Sequence, residues 1–328
     1  MHKSLLLSLG LLAAGPLHAE IIEIPAQSGF SGFLLGGINA SSYESNFYKG
    51  HDSHDRIDNL GSAERSDGLT PLINADLRYT FADTRTQLFL GNLIQDAVRF
   101  DFTQQLGVRQ QIGDKGIIAG SYVFSALPTE QWQDPFATGV DRETTDRSSR
   151  GMRLSWDKIW GSNFNGKATV RKIDIDNEHS GERYGHDVAH QLDRNGHEYA
   201  FELGYLWRFA PGQLLEPALV YKQADLDGRA ESYDSTGVQL SYGVKGSQWS
   251  LVSNLYLGQR DYDAVQPIFG RRADAKEFAL GGSFFWHQLF GVAPLSGVVS
   301  ASYAKADSDI SFYDANASSL SAGLLYNF

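Results

Sequence analysis

The segment His186-Asp187-Val188-Ala189-His190 sets two imidazoles four residues apart. On a helix that spacing puts both rings on one face, where they could hold a metal ion. It resembles the zinc-protease pattern, with Asp187 standing where that pattern needs a Glu base. Ser180-Gly181 and Asn195-Gly196 surround it with turn-forming residues, so the simpler expectation is solvated loop histidines. We therefore expect no metal centre, and His186 and His190 are the only residues that could be nominated for one. His197, between Asp193 and Glu198, is the one histidine placed to act as a base, and no serine can be matched to it. His287 falls near the end of a predicted strand. The chain has no G-x-S-x-G, no Gly-rich phosphate loop and no cofactor motif, so neither an enzyme nor a cofactor is expected.

A second set of reactive side chains is spread through the chain at alternate positions. Asp76, Arg78, Arg109, Arg153, Asp157, Lys167, Arg171, Glu198, Glu202, Arg208, Glu216, Lys222 and Glu277 each sit among apolar neighbours, with period two. In Glu198–Phe209, the residues Tyr199, Phe201, Leu203, Tyr205, Trp207 and Phe209 share one face, and Glu198, Glu202, Gly204 and Arg208 share the other. The segments 73–81, 238–244, 248–258 and 277–286 alternate in the same way. Only an extended strand sends successive side chains to opposite faces.

These strands are separated alternately by tight turns and longer charged segments. Turns fall near 82–84, 113–115, 161–165, 211–212 and 245–246, with a longer one at 290–296. Loops fall near 45–69, 94–99, 127–148, 176–196, 226–232, 260–275 and 307–315. Aromatics gather at the turn ends: Tyr79 with Phe81, Trp156 with Trp160, Tyr205 with Trp207, Phe284 with Trp286. Short turns at one end, long loops at the other and aromatic girdles describe an all-β, transmembrane, antiparallel up-and-down β-barrel. Counting gives about 14 strands, with 12–16 compatible with the weakly patterned stretches at 30–42, 85–93, 164–175 and 296–306. A β-sandwich would also alternate, but it would not place aromatics at its turns in this way.

Composition agrees. Mean hydropathy is −0.30 and no apolar run long enough for a spanning helix follows the N-terminus. Residues 1–19 read as a cleaved secretory signal: Lys3, an apolar run Leu5–Ala14, and Leu17-His18-Ala19 ahead of Glu20. Residues 20–29 would form a short periplasmic segment, too short for a plug domain, and 30–328 the barrel. There is no cysteine, hence no disulfide framework or thiol chemistry. The formal net charge of −11 disfavours nucleic acid.

The last strand, Ser318–Phe328, carries Ser321, Gly323, Tyr326 and a terminal Phe328. This matches the signal by which the barrel-assembly machinery takes up outer-membrane strands, an extended segment pairing with an open sheet edge. At the other end, Ile24-Pro25-Ala26-Gln27-Ser28-Gly29-Phe30-Ser31-Gly32, followed by Ser45-Asn46-Phe47, resembles the Domain of Unknown Function 2860 family of proteobacterial proteins. The resemblance extends over most of the mature chain. It implies an outer-membrane barrel and no functional residue.

The charged inner phase admits two arrangements. Arg153, Lys167 and Arg171 could face Glu198 and Glu202 as opposed stripes lining a polar channel. Alternatively they could form ion pairs between neighbouring strands that stiffen a filled lumen. Facing lipid at mid-bilayer would cost a charge about 2–4 kcal/mol, so all must point inward in either case. The function expected is a passive, porin-like channel for small polar solutes. The alternatives are a plugged or structural barrel acting through its outer loops in binding or adhesion, and a hydrophobic-substrate transporter, which the short N-terminal segment disfavours. Expected partners are outer-membrane lipid and lipopolysaccharide, the barrel-assembly machinery, and the solutes.

Overall fold

The computed structural model describes residues 23–328 except 52, 54, 93–102 and 127. The expected signal, 1–19, and the loop expected at 94–99 lie outside the described residues. Sixteen antiparallel strands form one sheet: β1 Gly29–Glu44, β2 Arg65–Phe81, β3 Thr86–Gly91, β4 Gln104–Gln111, β5 Ile117–Phe124, β6 Thr129–Trp132, β7 Thr144–Asp157, β8 Phe164–Ile175, β9 Gly196–Tyr205, β10 Trp207–Ala210, β11 Gln213–Leu226, β12 Tyr233–Lys245, β13 Trp249–Tyr262, β14 Ala275–His287, β15 Leu295–Ser308 and β16 Ala315–Asn327. β6 lies off the main path and pairs only with β7, while β10 continues β9 along the same edge of β11. The wall is therefore a closed barrel of fourteen strands, as the alternation predicts.

The single strand expected at Glu198–Phe209 is interrupted. Leu206 donates its amide to the Asn163 carbonyl instead of the ladder, and its side chain is buried. Opposite the break β11 carries Pro217, which has no N–H to give.

Closure joins β1 to β16 from Phe33↔Asn327 to Glu44↔Asn316. Gly32 and Phe328 exchange both backbone hydrogen bonds, each at 3.1 Å. Gly32 has φ +156°, and a Cβ there would collide with the Asp76 carbonyl of β2. A backbone this crowded admits only glycine.

Outward positions are apolar: Leu34, Ile38, Ile73, Leu154, Leu203, Leu219, Val299 and Leu320 all lie open on the outer surface. At the short-turn end they finish in paired rings, Phe30–Tyr79 (4.8 Å), Trp156–Trp160 (5.0 Å) and Phe164–Tyr205 (5.0 Å). Such a surface is stable only against lipid. The buried side chains lie inside the barrel and in a second core above it. At the short-turn end the inner phase holds Phe33, Leu35, Leu72, Phe285, Val298 and Leu325. There Ile24, ahead of β1, packs on Ile117 of β5. Arg85 fixes that segment, donating to the Ile24 carbonyl at 2.6 Å and the Pro25 carbonyl at 2.8 Å.

Candidate functional site

The thirteen charged residues singled out by period two all fall on the inward phase of their strands. Arg208 sits at the exposed end of β10. Strand register decides how the others meet. Lys167 and Glu202 are direct neighbours across β8 and β9, as are Arg171 and Glu198, with ion pairs at 3.3 and 2.5 Å. The two stripes are thus side by side on adjoining strands, not opposed across the lumen. Arg78 pairs with Asp76 two residues away on β2. Arg153 donates to Thr169 Oγ1 at 2.9 Å, and the Asn165 amide reaches Glu216 at 3.3 Å. Arg109 stacks over Phe89, 4.4 Å from the ring centroid. Near the long-loop end, Glu277 accepts from Ser235 at 2.9 Å and from Tyr256 at 3.3 Å, and pairs with Arg260; Lys222 lies over the Tyr256 ring. Asp157, at the end of β7, is half-buried. Arg260 and Tyr256 were not singled out in the sequence, although their phase on β13 could have placed them.

The wall opposite this charged sector is mostly uncharged. Cross-strand neighbours run Thr70, Asn39, Ser321, Ser300, Ser283 from β2 through β1, β16, β15 and β14. A second row runs Ser41, Ser319, Ser302, Gly281, Asn254, Ser241, Glu216. Within these rows the polar side-chain atoms of Asn39, Thr70, Ser283 and Ser300, and the Asn254 amide nitrogen, are buried with no hydrogen-bond partner among the described residues.

The long loops do not stand apart in solvent. Six of them are stitched into a ring. Trp132 donates to the Phe47 carbonyl and Arg142 to the Asp55 carbonyl, joining the β1–β2 loop to the β5–β7 segment. His179 donates to Gln133, and Gly181 to the Asp134 carboxylate, joining that segment to the β8–β9 loop. Ala230 donates to Gln191, Asp263 to Ser232, and Asp309 to Asp274, carrying the ring through the β11–β12, β13–β14 and β15–β16 loops. Asn46 closes it, its amide donating to the Phe312 carbonyl at 3.0 Å. Inside lies an aromatic core of Phe136, Leu192, Ala230, Tyr262, Ala273, Ile310, Phe312 and Tyr313, flanked by Phe47 and Phe269. Phe136 stacks on Phe312 with centroids 5.1 Å apart. This is a folded lid over the outer mouth.

The charged groups buried inside the lid are paired, whereas Ser180 Oγ and Gln266 Nε2 are buried there with no hydrogen-bond partner among the described residues. Arg142 stacks on Trp132 at 4.1 Å, and burial pulls its pKa down to about 10. Burial raises the pKa of Asp134 and of Glu178, and it pushes Glu231 up to about 8. Glu231 accepts the Tyr313 hydroxyl at 2.5 Å. The sequence signal for the lid was present in the loops themselves: Phe47, Ile57, Leu60, Phe136, Ile268, Phe269, Ile310 and Phe312 are too many apolar residues for solvated connections.

His186 and His190 lie on one short helix, α1 (His186–Gln191), on the exposed top of the lid. No group of three or more metal-ligating side chains occurs among the described residues. Inside the barrel, His287, not His197, meets serines: Ser250 at 2.7 Å and Ser296 at 3.3 Å. Ser250 is wholly buried, and no carboxylate orients the ring among its described hydrogen bonds. Of the residues expected to form the assembly signal, Ser321 and Gly323 face inward on β16, while Tyr326 and Phe328 face outward at the seam.

A family described as "Protein of unknown function (DUF2860)" matches residues 29–327. No curated protein matches the chain. Among solved structures the chain is similar to OmpT, an outer membrane protein of Vibrio cholerae (11% identity, 94% of this chain and 100% of that chain, TM-score 0.41). It is also similar to the outer membrane channel DcaP of Acinetobacter baumannii (11%, 94% and 99%, TM-score 0.41) and to a Pseudomonas aeruginosa FadL homologue (9%, 90% and 90%, TM-score 0.43). At these identities the likeness is one of fold.

Proposed function

For a chain that belongs to the DUF2860 family, whose description carries no activity, we propose an outer-membrane channel for small polar solutes, closed at its outer mouth by the loop lid. One observation carries the reading: the unpartnered polar atoms of Asn39, Thr70, Asn254, Ser283 and Ser300 on the inner wall. A buried hydroxyl or amide without a partner costs about 1–3 kcal/mol unless water reaches it. A wall that presents several of them in register holds hydrogen-bonding capacity that water or a polar solute entering the lumen would satisfy. Ion-paired side chains on the facing sector leave that interior polar without a large net field. The chain is exported with residues 1–19 removed, inserted by the barrel-assembly machinery and surrounded by lipid and lipopolysaccharide.

A second reading, a closed barrel serving as a platform for its loops, is favoured by the ring of six loops. Single-channel recording separates the two. The intact protein and a variant with residues 309–314 replaced by a tight turn would be reconstituted in planar bilayers. Stable conductance, larger in the trimmed variant, is expected. Silence from both, with insertion verified, moves the function to the loop platform.

A further inference from the structure

Most stitches in the lid join loops that are neighbours around the mouth. The Glu231–Tyr313 hydrogen bond does not. It runs from the β11–β12 loop to the β15–β16 loop, over the β13–β14 loop between them. Both residues are buried, and Tyr313 is part of the aromatic core. The tie therefore bridges two loops that do not follow one another around the mouth, and it ends in the aromatic core.

The surroundings of Glu231 hold its charge poorly. From the β8–β9 loop it faces Arg194 and Glu178, and these two already satisfy each other at 2.7 Å. From β13 it faces Arg260 and Tyr262; Arg260 pairs with Glu277 of the inner wall. From the β15–β16 loop comes Tyr313, whose hydroxyl donates to it and is its one hydrogen-bond donor among the described residues. Each arginine is committed elsewhere, so an ionised Glu231 would sit in an aromatic core with a single hydroxyl to solvate it.

We propose that the lid is a proton-operated gate, latched through its core by the Glu231–Tyr313 hydrogen bond and released when that carboxyl ionises. The proposal rests on the channel reading above. The sign follows from burial. Closed, the carboxyl holds its proton up to about pH 8; open and in water, it titrates in the ordinary carboxylate range. Closure therefore weakens as pH rises from that range to about 8 and is constant beyond it. One proton allows the open-to-closed ratio to rise by up to about tenfold per pH unit within the window.

Two measurements test this on the full-length reconstituted protein. Conductance across that pH window should rise in wild type and stay low and flat in Glu231→Gln, which keeps the hydrogen bond and cannot ionise. Backbone hydrogen exchange at residues 227–232 and 309–314, corrected for its intrinsic pH dependence, should lose protection in wild type and keep it in Glu231→Gln. Conductance that is equal at every pH, or equal in the two proteins, overturns the gate and leaves the channel reading standing. Protection lost with rising pH while bilayers stay silent overturns the channel reading, and the gate with it.

Discussion

Arg194 and Glu178 form a 2.7 Å ion pair inside the lid, each side chain only 7% exposed. Arg194 also donates to the carbonyls of Trp132 (2.8 Å) and Gln133 (3.2 Å) and to the Gln131 side chain. One guanidinium thus ties the β8–β9 loop to the β6 end of the neighbouring segment. Breaking a buried pair by removing one partner costs about 3–5 kcal/mol, because a charge is left uncompensated. Arg194→Met should therefore loosen the lid without unfolding the barrel. Protease cleavage within 176–195 should accelerate while heat-modifiable gel migration is retained. The double variant Arg194→Met, Glu178→Leu should recover in part only, since two carbonyls still lack their donor. A single variant as resistant as wild type would show that the pair does not hold the lid.

The inner-wall pairs make a prediction about selectivity. Arg171 and Glu198 neutralise one another at 2.5 Å. Neutralising Arg171 alone, as Arg171→Gln, removes the ion-pair partner of Glu198 and leaves it to the longer-range charges of Lys222 and Arg147. Reversal potentials in a salt gradient should then shift toward cation preference. Glu198→Gln should shift them the opposite way, and the double variant should return near wild type. Equal reversal potentials for all four proteins would mean that ions do not pass this pair.

The barrel was legible because lipid enforces it. A strand exposed to lipid on one side and to a polar interior on the other must alternate, as Glu198–Tyr205 and Trp249–Leu257 do. Where the interior side chains are small, the contrast fades. β15 turns Ser296, Val298, Ser300, Ser302, Ala304 and Ala306 inward, so its pattern was weak although its pairing is complete. The lid's apolar residues stand out in the loops, but how they assemble was not legible, for a different reason. Period two finds strands, and the lid has almost none. Its core is assembled from single residues such as Phe47, Phe136 and Phe312, which lie far apart in sequence and meet only because closure of the barrel gathers six loops at one mouth. The Ser250–His287–Ser296 contacts were hidden likewise, since they depend on the registers of β13, β14 and β15.

The seam gives the last prediction. Phe328 contributes twice: its backbone exchanges hydrogen bonds with Gly32, and its ring lies outward beside Tyr326 on the lipid side. Loss of the residue removes two hydrogen bonds at one end of a seam that otherwise pairs from Phe33↔Asn327 to Glu44↔Asn316. At about 1 kcal/mol each, this is a small part of the stability of a closed barrel. If the C-terminal strand is also what the assembly machinery pairs with, deletion should depress delivery far more than stability. Outer-membrane levels of the protein lacking Phe328 are expected to fall severalfold. The fraction that does insert should unfold in detergent within a few degrees of wild type. Gly32→Leu supplies the contrast: the C-terminal strand is intact, but the added side chain meets the Asp76 carbonyl, so the folded product should lose stability. Undiminished levels without Phe328, or equal losses of level and melting temperature in both variants, would remove the assembly role from the C-terminus and leave it a structural one.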